Sequence, residues 1–433
     1  MASVIGLELP LGKGFFSYIQ LHGHVQLIGW AGLFIIGISL HFIPRLAGVP
    51  VADPAALHRI LRLVVSGLIL RFVSQAFLPY LTGSAWFLPI GSVVVFSGVL
   101  EWVGIFLYLK TLLQTMQSVP DLDKRPALKS VKPFFAMMVS GWFLYATINV
   151  LLLLKMLLRK EAVLNLPWNE FGVQAFIGLV LLPVAFAFSV RMFPLYLRLP
   201  IIDWSVGRVA VVYLIALALQ LISTLPPVSK LQPRFAFWIL QVGSVVKGLV
   251  ILWFVWKLDL LTRRREPWTV HRILQPQEDR RPTREGLPDY GEFGRFERLV
   301  YAAYAWLVFG ALIEVLLGVT ALIGWTLPIS SDAVRHIYLL GFITHLILGM
   351  AVRMIPGFIK KKEVAVPGLV NASFWLATVA VFSRVASLVT PVALLQRIPE
   401  GSVVLQTAFA FSGVFGIAAV ACLATNLVKT AKL

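Results

Sequence analysis

Apolar stretches of 20 or more residues follow one another along nearly the whole chain, broken by short segments rich in Lys, Arg, Pro and Gly. Each stretch is long enough to cross a hydrocarbon core of roughly 30 Å as a helix. The pattern predicts eleven spans, at 22–45, 56–80, 85–110, 132–158, 168–196, 204–225, 233–260, 297–324, 333–357, 366–390 and 401–428. Helices are the expected form, because backbone groups in lipid must bond within their own segment. Residues 1–21 lack a basic leader and an evident cleavage site, so they do not read as a signal peptide. They read as a short re-entrant or interfacial piece; if they span, the count becomes twelve.

The spans are not independent of one another. "HVQLIGWAGLFIIGISLHFIP" runs from His24 to Pro44, and "HIYLLGFITHLILGMAVRMIP" runs from His336 to Pro356. The two share a glycine at the same two offsets (Gly29 and Gly341, Gly37 and Gly349) and end on the same proline, with His41 and Arg353 in matching places. "QAFIGLVLLPVAFAFSVRMFP", from Gln174 to Pro194, is a weaker third copy with Arg191 at the matching place. These are spans one, five and nine, four apart each time. The expected architecture is therefore an all-α polytopic membrane protein, a single transmembrane domain with pseudo-threefold arcs over about 22–158, 168–324 and 333–428.

Composition agrees with that class. Of 433 residues, 59% are hydrophobic and 13% charged, and the mean hydropathy is +0.85. The net charge of +18 comes mostly from Lys and Arg in the loops 46–58, 111–131, 197–203, 261–296 and 358–365 and in the C-terminus. The positive-inside rule makes that face cytoplasmic, with the N-terminus outside. A bacterial inner membrane is the expected location. The basic residues are spread over loops and tails, so nucleic acid is not an expected partner and membrane lipid is. Residues 261–296 carry mixed charge and prolines and read as a cytoplasmic linker. The single cysteine, Cys422, excludes a disulfide framework and covalent haem attachment through CxxCH.

The candidate chemistry lies in a few polar residues inside apolar runs. On these boundaries His22, His24 and His336 fall near the outer end of spans one and nine. Neutral imidazole ligates iron and copper well. His24 and His336 occupy equivalent repeat positions and are the expected axial ligands of a haem b. Arg71 and Arg384 lie in equivalent places in the following spans. An intramembrane Arg is a functional candidate, and its fork suits carboxylates such as haem propionates. His22 diverges from His24 by about 200° on a helix, so the two serve different sites. His22 and His345 are candidates for a second haem or copper. His41, His58 and His271 read as interfacial. Glu101 and Glu314 are expected either to pair with Lys247 or an Arg, or to relay protons.

"HGHVQLIGWAGLFIIGISLHFIPRLAG", "SVRMFPLYLR" and "RHIYLLGFITHLILGMAVRMIPGFIKK" resemble, in that order, three segments of the NnrS family. That family is similar to the main subunit of haem–copper oxidases and nitric oxide reductases. The resemblance implies haem, a role for copper, and action in the response to nitric oxide. The matching fifth and sixth spans hold no histidine, so a dinuclear oxygen-reducing centre is not expected. A different reading is a haem-b electron-transfer or anchor subunit working with quinol, a cytochrome or other respiratory subunits. A third is a cofactor-free transporter whose two arginines bind an anion.

Overall fold

The computed structural model describes residues 2–120, 126–265, 284, 287–390 and 399–433. Among them there is no strand, and eleven helices are long and apolar enough to cross a membrane. We label these α1 (Gly12–Ala47), α2 (Pro54–Leu81), α3 (Phe87–Gln117), α4 (Leu128–Leu158), α5 (Leu166–Leu197), α6 (Val206–Thr224), α7 (Pro233–Leu258), α8 (Phe296–Leu322), α9 (Asp332–Phe358), α10 (Pro367–Val389) and α11 (Val403–Lys432). The protein is an all-α, multi-pass membrane protein. His271 and most of the expected linker lie outside the described residues.

The helix ends follow local chemistry. Asp53 caps α2 by accepting the Ala56 N–H at 3.0 Å, and Pro54 opens the first turn, where no N–H is needed. Gly48 ends α1 in the left-handed region at φ 66°, and Val49 N–H returns to the Pro44 carbonyl at 3.1 Å. Beyond the end of α7, Asp259 has φ 60° and a fully buried carboxylate. It accepts from Thr262 Oγ1 at 2.5 Å and from the backbone N–H groups of Arg264 and Arg265 at 3.0 and 2.8 Å.

Residues 1–21 do not form a twelfth span. Ala2–Gly6 is a single short helix, and Ser3 Oγ donates to the Ala410 carbonyl of α11 at 2.8 Å. Helix α1 itself begins well before residue 22. Its α-helical part starts at Phe15, so His24 sits roughly 14 Å inside that start at 1.5 Å per residue. Two polar residues of this first stretch have inward partners. Ser17 Oγ accepts from Gln75 Nε2 at 3.4 Å. Gln20 donates to the Leu164 carbonyl at 2.9 Å and accepts the Leu164 N–H at 2.8 Å.

Helices α1, α5 and α9, the three that lead the sequence repeat, each contain a π-helical stretch. These are Val25–Gly32, Ile177–Leu181 and Ile337–Thr344. The first and third begin at the residue after His24 and after His336. Widened turns of this kind are rare and gather at functional sites. Glycine lets a neighbouring ring approach them. A Cβ on Gly32 would stand 2.9 Å from the Trp142 ring, and one on Gly341 would stand 2.9 Å from Trp306.

The chain divides into two compact units. The first holds residues 10–187 and 206–240, and the second holds 2–9, 188–205 and 241–433. In the first, α2 and α3 pack closely at Gly67, where a Cβ would lie 2.6 Å from Glu101 Cγ and 2.8 Å from the Ser97 carbonyl. In the second, Trp306, Ile337, Val381 and Val385 join α8, α9 and α10 in one apolar cluster.

Two outcomes are expected. Gly67→Ala destabilises the protein by about 1–3 kcal/mol through overpacking, read as a lowered melting temperature in detergent. For Asp259, burial pushes the carboxyl up, but hydrogen bonds from Thr262, Arg264 and Arg265 and the Arg264 charge outweigh it and hold the group at about 2. A depressed folded value gives stability that is present above the unfolded value of about 3.9 and lost as pH falls through the folded one. The melting-temperature gap between wild type and Asp259→Asn therefore shrinks as pH falls from about 4 toward 2.

Candidate functional site

In the first unit α1, α2, α3 and α4 each contribute one buried polar side chain to a common cluster. His24 of α1 sits at the α-to-π junction, which turns it inward; it is 5% exposed, while His22 is exposed. Its Nε2 is 2.7 Å from Glu101 Oε2 on α3, and its Nδ1 is 3.0 Å from the Tyr145 hydroxyl on α4. An ionised Glu101 only accepts, so His24 donates through Nε2 and a neutral ring accepts the Tyr145 O–H at Nδ1. The two rings also stack, at 6.2 Å and 15°.

Arg71 of α2 is fully buried. Its Nε donates to Gln75 Oε1 one turn on, while Nη1 and Nη2 have no partner among the described residues. Glu101 Oε1 is likewise without one. Arg71, Glu101 and Tyr145 lie within electrostatic reach of one another. The carboxylate of Glu101 therefore offsets the guanidinium charge, and two N–H-bearing nitrogens remain open to an anionic oxygen.

In the second unit His336 stands in the first turns of α9, just before the π-turn. Its Nδ1 donates to the Asp332 carbonyl at 2.8 Å, and the described residues offer Nε2 no hydrogen bond. One ring nitrogen fixed on a carbonyl with the other open is the arrangement of a metal-ligating histidine. Arg384 of α10 lies within electrostatic reach of this ring. It is 8% exposed, its guanidinium rests 4.1 Å from the centre of the Phe409 ring, and its Nε has no partner among the described residues. His345 is fully buried, with Nδ1 3.2 Å from the Leu340 carbonyl and Nε2 3.5 Å from Thr378 Oγ1. Farther along, Lys247 Nζ of α7 meets Glu314 Oε1 of α8 at 2.7 Å, and the Tyr338 hydroxyl of α9 donates to Glu314 Oε2 at 2.7 Å.

The structure thus joins His24 to the Arg71 region and His336 to the Arg384 region, each within its own unit. His22 is exposed, and His345 bonds its own helix. No group of three or more His, Cys, Asp or Glu side chains suited to a metal ion occurs among the described residues. Tyr145, Gln75 and Tyr338 were not singled out in the sequence. Their only signal is a polar group on an otherwise apolar helix face, which Tyr and Gln often show at membrane interfaces without function.

No protein-family model matches the chain, and no curated protein matches it.

Glu101→Gln is expected to leave the buried Arg71 charge without its anion. That costs about 3–5 kcal/mol, against about 1 kcal/mol for Tyr145→Phe, which removes one neutral hydrogen bond. Thermal unfolding of the two variants in detergent measures the difference.

Proposed function

We propose that the protein is a haem-b-binding integral membrane protein of the NnrS type, acting in the response to nitric oxide by binding it or by passing electrons. The observation that carries this reading is His336, an imidazole held by one nitrogen, open at the other and set beside a buried arginine. A haem supplies an iron that changes oxidation state and binds diatomic ligands.

The residues fit such a group in part. His336 would offer Nε2 to the iron, with the Asp332 carbonyl fixing the ring through Nδ1. Among the described residues, Arg71 and Arg384 keep unpartnered, buried guanidinium nitrogens that suit propionates. His24 is held at both nitrogens, so Tyr145 or Glu101 would have to release it before it could hold an iron. A second haem or copper at His22 or His345 has no comparable support. The distribution of Lys and Arg supports a bacterial inner membrane location with the C-terminus in the cytoplasm. The same residues would equally serve a haem-b electron-transfer subunit that takes electrons from a quinol or hands them to a cytochrome.

The test is a reduced-minus-oxidised spectrum of the purified protein, with a pyridine haemochrome assay and a copper determination on the same sample. A b-type spectrum is expected, with haem content falling about tenfold or more in His336→Ala. A spectral shift on adding nitric oxide selects the nitric oxide reading over the electron-transfer one. A colourless protein from cells supplied with haem overturns both and leaves an anion transporter built on the two arginines.

A further inference from the structure

The Lys247–Glu314 pair has no part in haem binding, yet it places two opposite charges inside the membrane, with side chains only 8% and 11% exposed. The pair is built in by backbone packing. A Cβ on Gly248 would lie 2.8 Å from the Ala311 carbonyl and 2.6 Å from Val315 Cγ2, and one on Gly318 would lie 2.7 Å from Val245 Cγ2. These glycines let α7 and α8 approach until the residues beside them, Lys247 and Glu314, must meet.

The surroundings of the pair are unequal along α7. Toward the start of that helix come Ser244 and Gln241, both half-buried, at spacings of three that make each a neighbour of the next on the helix surface. In the other direction Val250, Ile251, Phe254 and Leu258 are buried and apolar. Among the described residues of α7, the polar neighbours of the pair thus lie toward the start of the helix. From α9 the titratable neighbour is Tyr338, whose hydroxyl donates to Glu314 and whose ring lies 5.6 Å from Lys247 Nζ. Helix α10 brings the apolar Val381 and Val385 to this part of α8.

A pair kept only for stability is weakly motivated, since apolar residues of the same volume do as well or better in a buried place. A carboxylate that meets a flexible ammonium on one oxygen and a hydroxyl on the other can take up a proton when the ammonium swings away. We propose that Glu314 is a proton-carrying site of the membrane interior, with Lys247 as its counter-cation, and that it exchanges its proton with the water at the face where α7 begins, along Ser244 and Gln241. The proton comes from that water, binds one carboxylate oxygen, and returns the same way. The site needs no haem and stands whether or not one is bound.

The experiment is infrared spectroscopy of the full-length protein in liposomes, following the protonated-carboxyl absorption against pH and its shift in deuterated water. A reversible signal that is absent in Glu314→Gln is expected. If that variant does not fold, Lys247→Met/Glu314→Gln, which removes both charges together, makes the assignment. Gln241→Leu/Ser244→Ala slows deuterium exchange about tenfold, equivalent to about 1.4 kcal/mol on the barrier. The proposal fails if no Glu314-dependent signal appears at any pH where the protein stays folded. It fails equally if exchange keeps its rate in Gln241→Leu/Ser244→Ala.

Discussion

A charged guanidinium inside a bilayer has to be answered by an anion, and in the first unit that requirement organises four helices. Arg71 is fully buried on α2. Its answer is Glu101, on the helix that packs closest to α2 because Gly67 leaves no side chain between them. Once Glu101 is ionised it needs donors, and His24 supplies one from α1. His24 in turn needs a partner at its other nitrogen, and Tyr145 supplies it from α4. Removing any link leaves a polar atom in a medium that cannot hydrate it, at a cost of several kcal/mol for a charge. The order of the cluster thus follows from one cation.

The π-turns explain how the leading helices can present a polar residue so deep without breaking. A widened turn inserts an extra residue and rotates the rest of the helix, so the ring at its edge points inward while the helix continues. In α1 and α9 the turn starts directly after the histidine. In α5, where Gln174 stands at the matching place, the π-turn is shorter and begins three residues later, at Ile177. The strength of the sequence repeat and the extent of the π-turn therefore rise together. The imidazole at the edge of the turn is buried in α1 (His24) and half-buried in α9 (His336).

Much of this is legible in the chain itself, and the limits have physical causes. Spans of 20 apolar residues declare themselves, and the eleven helices agree with that pattern. The repeat from His24 to Pro44 and from His336 to Pro356 points to equivalent helices. The start of α1 is hidden because Lys13, Ser17, Gln20 and His22 look like a solvated approach to a membrane. Ser17 and Gln20 instead bond Gln75 and Leu164 inside the unit, which no window of hydropathy can register. That moves His24 from the mouth of the span to its interior. Glu101 and Glu314 are visible as buried acids with two alternatives each. Which cation each meets depends on glycines that let particular helices touch, and tertiary proximity of that kind leaves no mark at fixed spacing.

The two units answer buried charge in different ways. In the first, arginine, carboxylate and imidazole answer one another, so His24 is spent on the balance. In the second, Glu314 is taken by Lys247 and Tyr338, and Arg384 rests on the face of Phe409, an aromatic partner that stabilises a cation without neutralising it. The fixed nitrogen of His336 uses the Asp332 backbone carbonyl, and the Asp332 side chain also lies within electrostatic reach of the ring. A neutral imidazole is the form that ligates a metal. In the proposed haem reading, His336 is the residue that would hold the iron.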